Sequence, residues 1–180
     1  MGLFSSSDPA THFPEVQGVE LDGTAVAFPD DLPAEANLLI VAFRDALDPL
    51  ADQWARLGDR LRETHGDRLA VRELPVVAKS LKMFGGLATV GVRGQIDDDA
   101  ERARTVPIFV DKKAFCKQLA CGDQGDVYVF LVDREGRIAW RGDGDIEMDE
   151  ISALERAVAH VLSGEASQDG LDASEDGPDA

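Results

Sequence analysis

The protein has 180 residues, with 35 acidic and 18 basic side chains and a formal net charge of −17 at pH 7. A surface of this sign repels polyanions, which excludes nucleic-acid binding and disfavours binding to an anionic membrane surface. The length predicts one domain, and 44% apolar residues is enough for an ordinary buried core. Two cysteines are too few for a disulfide scaffold.

The charged residues are biased in type and are distributed unevenly along the chain. Asp outnumbers Glu by 23 to 12, and Arg outnumbers Lys by 13 to 5, a composition typical of proteins from a salt-rich cytoplasm. Residues 164–180 hold six acids, no base and one large apolar residue, which predicts a disordered acidic tail. We expect residues 1–20 to form an N-terminal extension and residues 21–163 to form the domain. The chain has no secretory signal or membrane span, so we expect a cytoplasmic location.

The first predicted elements form a β-α-β unit. Asn37–Phe43 (NLLIVAF) is a continuous apolar run, which predicts a central strand covered on both faces. Asp48 and Pro49 fit the N-cap and first position of a helix that ends at His65-Gly66. The apolar face of this helix is formed by Leu50, Trp54, Leu57 and Leu61. Arg68–Val77 is the second strand, and this order favours a parallel pair.

The second half of the chain predicts one extended strand, a short helix, a β-hairpin of two strands and a closing helix. A less regular segment, residues 78–101, leads to an extended run at Val106–Val110 and a short helix at Lys112–Ala120. Asp126–Asp133 and Arg137–Arg141 then form a β-hairpin whose turn needs a left-handed residue at Gly136. A final amphipathic helix begins near Asp149 and is ended by Gly164. This order predicts an α/β, thioredoxin-like fold: a central mixed sheet flanked by helices, with a C-terminal hairpin plus helix.

The position where this fold usually carries its redox nucleophile contains no candidate. A cysteine after the first central strand, at a helix N-terminus, would have its pKa lowered by the helix dipole. Phe43 to Ala51 contains no Cys, Ser or Thr, and Asp48 is suited to cap the same N–H groups. The sequence therefore argues against redox chemistry at this loop.

Cys116 and Cys121 are the remaining candidates for redox chemistry. Positions five apart lie about 140° apart on a continuous helix, so a disulfide would require the helix to end between them. Gly122 could allow such an end, and Lys112, Lys113 and Lys117 could lower a nearby thiol pKa. The alternative is one buried small apolar residue and one cysteine at a helix end. His12, His65 and His160 are scattered, so no metal site and no cofactor are predicted.

One segment departs from the acidic background. Leu74–Ile96 runs 23 residues with no acid and three bases, Lys79, Lys82 and Arg93. Its central stretch from Met83 to Val92 is uncharged, too short to span a bilayer but long enough to present an apolar surface. We interpret the segment as the contact surface for a protein partner, against the alternative that it is buried core.

Several motifs together resemble a known family. Glu73–Val77, Ala114–Leu119 and above all Asp126–Gly142 (DVYVFLVDREGRIAWRG) are similar to the mitochondrial ATP synthase assembly-factor family, which has a thioredoxin-like fold. The resemblance covers roughly residues 35 to 145. It implies a thioredoxin-like protein that has lost its redox cysteines and acts as a chaperone for a membrane subunit of the rotary ATPase.

The sequence therefore predicts a non-catalytic chaperone or assembly factor that binds a protein partner, with a membrane-protein subunit as one candidate. The adjoining basic helix, Lys112–Lys117, is expected to take part. The predicted partner-binding residues are Lys79, Lys82, Met83, Phe84, Leu87, Val90 and Arg93. The competing hypothesis is a thiol oxidoreductase or peroxidase of the peroxiredoxin-like group that uses Cys116 and Cys121.

Overall fold

Strands and helices alternate along most of the chain in a computed structural model that describes residues 10–43, 48–84, 94, 96–122 and 127–164. The strands are β1 (Val16–Val19), β2 (Ala25–Phe28), β3 (Ala36–Ala42), β4 (Leu69–Ala78), β5 (Ile108–Val110), β6 (Val127–Asp133) and β7 (Ile138–Asp143). The α-helices are α1 (Pro49–His65), α2 (Asp99–Arg104), α3 (Lys112–Gln118) and α4 (Met148–Ser163). Short 3-10 turns cover Gly66–Arg68 and Lys79–Phe84.

The strands form one mixed sheet of seven strands in the order β2-β1-β5-β4-β3-β6-β7. The three central strands β5, β4 and β3 run parallel to one another. The pairs β3–β6, β6–β7, β1–β2 and β1–β5 are antiparallel. The predicted mixed sheet flanked by helices is confirmed, and the β-α-β unit gives the predicted parallel pair.

β3 is the centre of the core, as its continuous apolar run predicts. All seven of its residues are buried, and they alternate between the two faces of the sheet. Leu39 and Val41 pack in a layer with the aromatic rings of Phe115 and Phe130. Leu38 and Ile40 pack in the other layer, beneath α1 and α4. A strand covered on both faces needs no polar alternation, which is why its sequence reads as unbroken.

Helix α1 begins and ends where its sequence signals predict. The Asp48 carboxylate accepts a hydrogen bond from the Leu50 N–H at 2.9 Å, and Pro49 occupies the first turn. The helix ends at Gly66, whose φ is 61°. Three of the four predicted face residues are buried and the fourth, Leu50, is half-buried. The close contact of α1 with the sheet requires Gly58, because a Cβ there would lie 2.8 Å from Val71 Cγ2.

The C-terminal hairpin and helix also follow the prediction. Gly136 in the turn between β6 and β7 has a φ of 83°, the left-handed conformation that the turn needs. Helix α4 starts one residue before Asp149, at Met148, and the Glu150 side chain accepts a hydrogen bond from the N-cap N–H of Glu147. Gly164 ends the helix in a left-handed conformation. The rest of the predicted tail lies outside the described residues.

Strands β1 and β2 were not predicted from the sequence. Each has only four residues, and β1 contains Gly18, so neither shows a clear alternation. Gly18 allows β1 to lie close against β5, because a Cβ there would lie 2.8 Å from Val106 Cγ1. The chain before β1 is also tied to the domain: the Ile138 N–H donates to the Thr11 carbonyl at 2.8 Å, and Phe13 is buried.

Candidate functional site

The carboxyl ends of three parallel strands meet at one edge of the sheet. β3 pairs with β4 and β4 pairs with β5, so the residues after Ala42, Ala78 and Val110 lie side by side. In open α/β sheets, ligands bind beyond the carboxyl ends of the strands. We call the described residues there the carboxyl edge: Phe43, Lys79–Leu81 and Asp111–Lys117.

The end of β3 is held by structural contacts. Lys112 Nζ, on the first turn of α3, donates to the Phe43 carbonyl oxygen at 2.8 Å. Residues 44–47 lie outside the described residues, and none of them is Cys, Ser or Thr. The Asp48 carboxylate caps α1 on the far side of this loop. The side chains described here therefore stabilise the edge and supply no nucleophile.

Four of the five lysines lie at this edge: Lys79, Lys112, Lys113 and Lys117. Lys79, Lys113 and Lys117 are exposed, and none of the four forms an ion pair with another residue that the structure describes. Seven arginines, in contrast, each lie in an ion pair: Arg56, Arg62, Arg68, Arg72, Arg102, Arg104 and Arg137. The carboxyl edge thus presents lysines without a direct ion pair among the described residues, on a protein whose net charge is strongly negative.

A groove of about 610 Å³ is lined by Lys79 and by residues of helix α3. Lys79 lines it with Ala114 and Gln118, which project from successive turns of α3. Lys113 and Lys117 each precede one of these residues and lie on the neighbouring row of the same helix. Lys113 and Lys117 do not line the groove themselves, but they lie on the helix that does.

The opposite wall of the groove is acidic. Glu15 lies just before β1, and Asp30 lies just after β2. Asp111 also lines the groove, but its carboxylate accepts the Ala114 N–H at 2.9 Å and caps α3. Among the described residues that line the groove, Lys79 is the one base, and it faces an acidic surround of Glu15, Asp30 and Asp111.

The structure separates the predicted contact segment into buried and exposed parts. Leu74, Val76 and Ile96 are buried in the core, so the burial alternative holds for its two ends. Lys79 is exposed, and so is Leu81, at 46%, which the sequence did not single out.

The other predicted partner-binding residues lie outside what the structure describes. Lys82, Met83 and Phe84 end the 3-10 turn, and their side chains are not described. Leu87, Val90 and Arg93 lie outside the described residues altogether. Their part in binding remains a prediction.

Cys116 and Cys121 meet at the C-terminal end of α3. The Cys121 N–H donates to the Cys116 carbonyl at 2.9 Å, and the Ala120 N–H donates to the Lys117 carbonyl at 3.2 Å. This pair of bonds is the Schellman motif, and it requires a left-handed residue, here Ala120 with a φ of 53°. The Cys116 thiol in turn lies 3.3 Å from the Cys121 carbonyl oxygen. The helix does end between the cysteines, at Gln118, and the left-handed residue that follows is Ala120 rather than Gly122.

The electrostatic surroundings do not favour a reactive thiolate. Burial, together with the adjacent Cys116, raises the pKa of the Cys121 thiol to about 12. The cation that acts in the opposite direction is Arg141, so our expectation that lysines lower this pKa is wrong for Cys121. Neither cysteine is in a disulfide, and Cys116 is buried. A thiol of this kind is a poor nucleophile at neutral pH.

Replacing Ala120 with glycine is expected to stabilise the protein by about 0.5–1 kcal/mol, because glycine adopts a left-handed conformation without the steric cost of a Cβ. The measurement is the urea midpoint at unchanged slope. Ala114→Gly is the matched control: it lies inside α3 and should destabilise the protein by about 0.5–1 kcal/mol. Two shifts of the same sign would contradict the left-handed assignment of residue 120.

A buried charge cluster lies away from the carboxyl edge and joins α1, β4 and α2. The Arg104 guanidinium donates to the buried Glu73 carboxylate and lies 3.3 Å from Asp59 Oδ2 and 3.6 Å from Asp52 Oδ1. Burial raises the pKa of Glu73, although the hydrogen bond and charge of Arg104 lower it. Sequence reasoning missed this cluster because its members are far apart in the chain. We assign it a structural role.

The described part of the chain contains neither a cluster of metal ligands nor a membrane-spanning helix. Residues 10–43, 48–84, 94, 96–122 and 127–164 contain no group of three or more His, Cys, Asp or Glu side chains that could hold a metal ion. Within the same ranges, every helix is too short or too polar to cross a membrane.

Solved structures of similar fold cover most of this chain. A candidate thiol:disulfide interchange protein, DsbE from Chlorobium tepidum, is 16% identical with a TM-score of 0.56, covering 87% of this chain and 99% of that chain. AhpC from Mycobacterium tuberculosis is 15% identical with a TM-score of 0.55, covering 89% and 96%. Yeast Sco1, solved with copper bound, is 11% identical with a TM-score of 0.56, covering 91% and 99%. These likenesses establish the thioredoxin-like fold that the sequence predicts.

Of two comparisons of the sequence with known proteins, one finds a match. A search of curated proteins finds no match to this chain. The sequence profile of the ATP10 protein family matches residues 4–161, which include the carboxyl edge and both cysteines. A match over this share of the chain confirms the family that its motifs resemble. This chain belongs to the ATP10 protein family of ATP synthase assembly factors.

Proposed function

We propose that this chain is a non-catalytic, thioredoxin-like chaperone or assembly factor that binds a protein partner at the carboxyl edge. A membrane-protein subunit is the expected class of partner, as the family implies. The observation that carries the proposal is the placement of four of the five lysines at this edge, with Lys79, Lys113 and Lys117 exposed and not paired to other described residues. The same edge is where ligands of α/β sheets bind.

The chemistry of the edge favours binding over catalysis. Its described residues include no activated nucleophile: Lys112 is engaged by the Phe43 carbonyl, and Asp111 caps α3. Cys121 has a pKa of about 12 because of burial, which leaves few thiolates at neutral pH. A surface without a nucleophile can still bind through charge and apolar contact.

The exposed groups fit a partner segment that is both acidic and apolar. Leu81 is exposed two residues after Lys79. Interfaces gain specificity and association rate from complementary charge, and gain much of their affinity from buried apolar contacts. The acidic wall at Glu15 and Asp30 would reject a partner bound in the opposite orientation. Lys82, Met83, Phe84, Leu87, Val90 and Arg93 remain proposed contacts on the same segment.

Charge reversal at three lysines tests the proposal. The triple variant Lys79→Glu, Lys113→Glu, Lys117→Glu is expected to lower the recovery of crosslinked partners from native extract roughly tenfold or more, because attraction becomes repulsion. The readout is quantitative mass spectrometry of crosslinked partners, with the membrane fraction measured separately. Phe84→Asp, measured in parallel, tests the apolar part of the segment.

The matched control changes the charge equally on other faces. Arg60, Arg134 and Arg156 are exposed, so Arg60→Glu, Arg134→Glu, Arg156→Glu produces the same net charge. This variant should recover partners within about twofold of the wild type. Equal losses of partner recovery in both triple variants would show that only the net charge matters. No loss in either variant would contradict the proposed binding surface.

A different variant tests the competing hypothesis that the protein is a thiol oxidoreductase. Cys116→Ser with Cys121→Ser is expected to recover the same partners as the wild type, because neither thiol is needed at the carboxyl edge. Peroxide and disulfide reduction are measured for both proteins. A genuine activity of the wild type that the double variant loses completely would overturn the non-catalytic proposal.

A further inference from the structure

We propose that Cys116 and Cys121 form a specific intramolecular disulfide in an oxidised state of this protein, with Cys121 as the thiol that reacts first. This modification site does not depend on the proposed binding function. It follows from the turn that ends α3 and from the different exposure of the two thiols. In the reduced state described above, the pair is poised for the bond but has not formed it.

The helix end supplies the geometry. In a Schellman motif, the residue after the left-handed position folds back over the last full turn of the helix, and the side chains of these two residues come into contact. Here they are Cys121 and Cys116, joined by the N–H to carbonyl bond of 2.9 Å. The Cys116 sulfur lies 3.3 Å from the Cys121 carbonyl oxygen. The sulfur therefore lies against the backbone of its partner residue, and the two side chains are close enough for Cys116 to raise the pKa of the Cys121 thiol.

Exposure determines the order of reaction. Cys116 is only 6% exposed and packs in the aromatic core layer, whereas Cys121 is half-buried. Ala120 and Gly122, on either side of Cys121, line a cavity of about 360 Å³ that also contains Arg141. Cys121 itself does not line this cavity, so its access rests on the half-buried state of its own side chain. Arg141 lies close enough to lower the pKa of the Cys121 thiol. A small disulfide therefore meets Cys121 before the buried Cys116.

The reaction balances as two thiol–disulfide exchanges with a small disulfide such as oxidised glutathione. The Cys121 thiolate attacks one sulfur of the small disulfide, forms a mixed disulfide and releases one small thiolate. Cys116 then loses its proton, attacks the Cys121 sulfur and releases the second small thiolate. Two protein thiols are oxidised, one small disulfide is reduced to two small thiols, and the two protons pass to the leaving thiolates.

The surroundings predict a slow reaction and a durable product. The high pKa of Cys121 keeps its thiolate fraction low at neutral pH, so the pair is unsuited to rapid turnover. The bond would close the end of α3, the helix that carries Lys113 and Lys117. Oxidation would therefore fix the end of α3 covalently to the residue that follows its turn, without adding or removing charge at the carboxyl edge.

The test is oxidation of the full folded chain by glutathione buffers of increasing oxidised fraction, followed by alkylation and trypsin. Trypsin cleaves after Lys117, between the cysteines, so peptides 114–117 and 118–134 should remain linked until a reductant is added. Both thiols should become resistant to alkylation together. Linkage between different chains, or a wild-type mixed disulfide that persists unresolved, would overturn the proposal, and so would the absence of linked peptides in excess oxidised glutathione.

Single variants test the order of reaction. Cys116→Ser should accumulate glutathione on Cys121, because no second thiol resolves the mixed disulfide. Cys121→Ser should leave Cys116 unmodified in the folded protein and reactive only in urea. Equal modification of both variants would contradict Cys121 as the first thiol. Far-UV circular dichroism confirms that each variant is folded, and Cys116→Ala replaces the serine variant if burial of the hydroxyl unfolds it.

Discussion

Replacing Arg104 with methionine is expected to lower the free energy of unfolding by about 3–5 kcal/mol at neutral pH, because it leaves the buried Glu73 carboxylate without its cation. Glu73 is 6% exposed on β4 and accepts a hydrogen bond from Arg104. Asp52 and Asp59 are more exposed and remain hydrated. Urea unfolding followed by far-UV circular dichroism measures the change.

The pH dependence of this loss has a defined sign. Burial raises the pKa of Glu73 in the folded protein, so the folded state keeps a proton to higher pH than the unfolded chain does. The titration of Glu73 therefore contributes stability below the unfolded pKa, and that contribution is lost as the pH rises through the folded pKa. Without Arg104 the folded pKa rises further. The deficit of the variant should be larger at about pH 7 than at about pH 5.

Two controls distinguish this effect from a general loss of charge. Arg56 is 74% exposed and pairs with Asp52, so Arg56→Met should change the free energy of unfolding by no more than about 0.5 kcal/mol. The double variant Glu73→Leu, Arg104→Met removes both buried charges and should recover at least half of the loss. If the double variant is no more stable than Arg104→Met, the cost does not come from an unpaired Glu73.

The second large effect is expected at Trp54, which joins α1 to the loop after β7. Its side chain is fully buried, and its indole N–H donates to the Gly144 carbonyl at 2.9 Å. Its ring lies 5.9 Å from the ring of Trp140. Trp54→Ala removes the ring and the donor together, and we expect it to lower the free energy of unfolding by about 3–5 kcal/mol. The same urea titration measures it.

Trp54→Phe separates the hydrogen bond from the volume of the ring. It retains an aromatic ring and loses the donor, so a smaller loss of about 1–2 kcal/mol is expected. Trp140→Phe is the comparison on the partner ring, which is half-buried and should cost less than Trp54→Ala. Equal losses for Trp54→Phe and Trp54→Ala would assign the whole effect to the hydrogen bond and contradict the packing argument.

The elements that were predicted correctly are those whose sequence signals lie within a few neighbouring residues. The unbroken apolar run of β3, the Asp48 cap of α1 and the left-handed Gly136 are local signals, and the structure contains all three. Strands β1 and β2 have no comparable signal. They are strands because β5 offers a partner for β1, and Gly18 allows the close approach.

The candidate site was only partly predictable, for the same reason. The sequence alone was enough to propose the segments of the lysines as contact surfaces and the two cysteines as redox candidates. That Lys79 and helix α3 line one groove depends on the parallel pairing of β4 with β5. The contact of Cys116 with Cys121 depends on Ala120, a residue type that rarely adopts the left-handed conformation.

By itself, the sequence determined the acidic composition, the central strand, the first helix and the C-terminal hairpin of this protein, and its motifs indicated the family. Tertiary structure alone decided which lysines share a surface, which ends of Leu74–Ile96 are buried, and that Arg104 neutralises Glu73. The physical reason is distance along the chain. Caps, turns and apolar runs act between near neighbours, whereas strand order and buried ion pairs join residues that only the completed fold brings together.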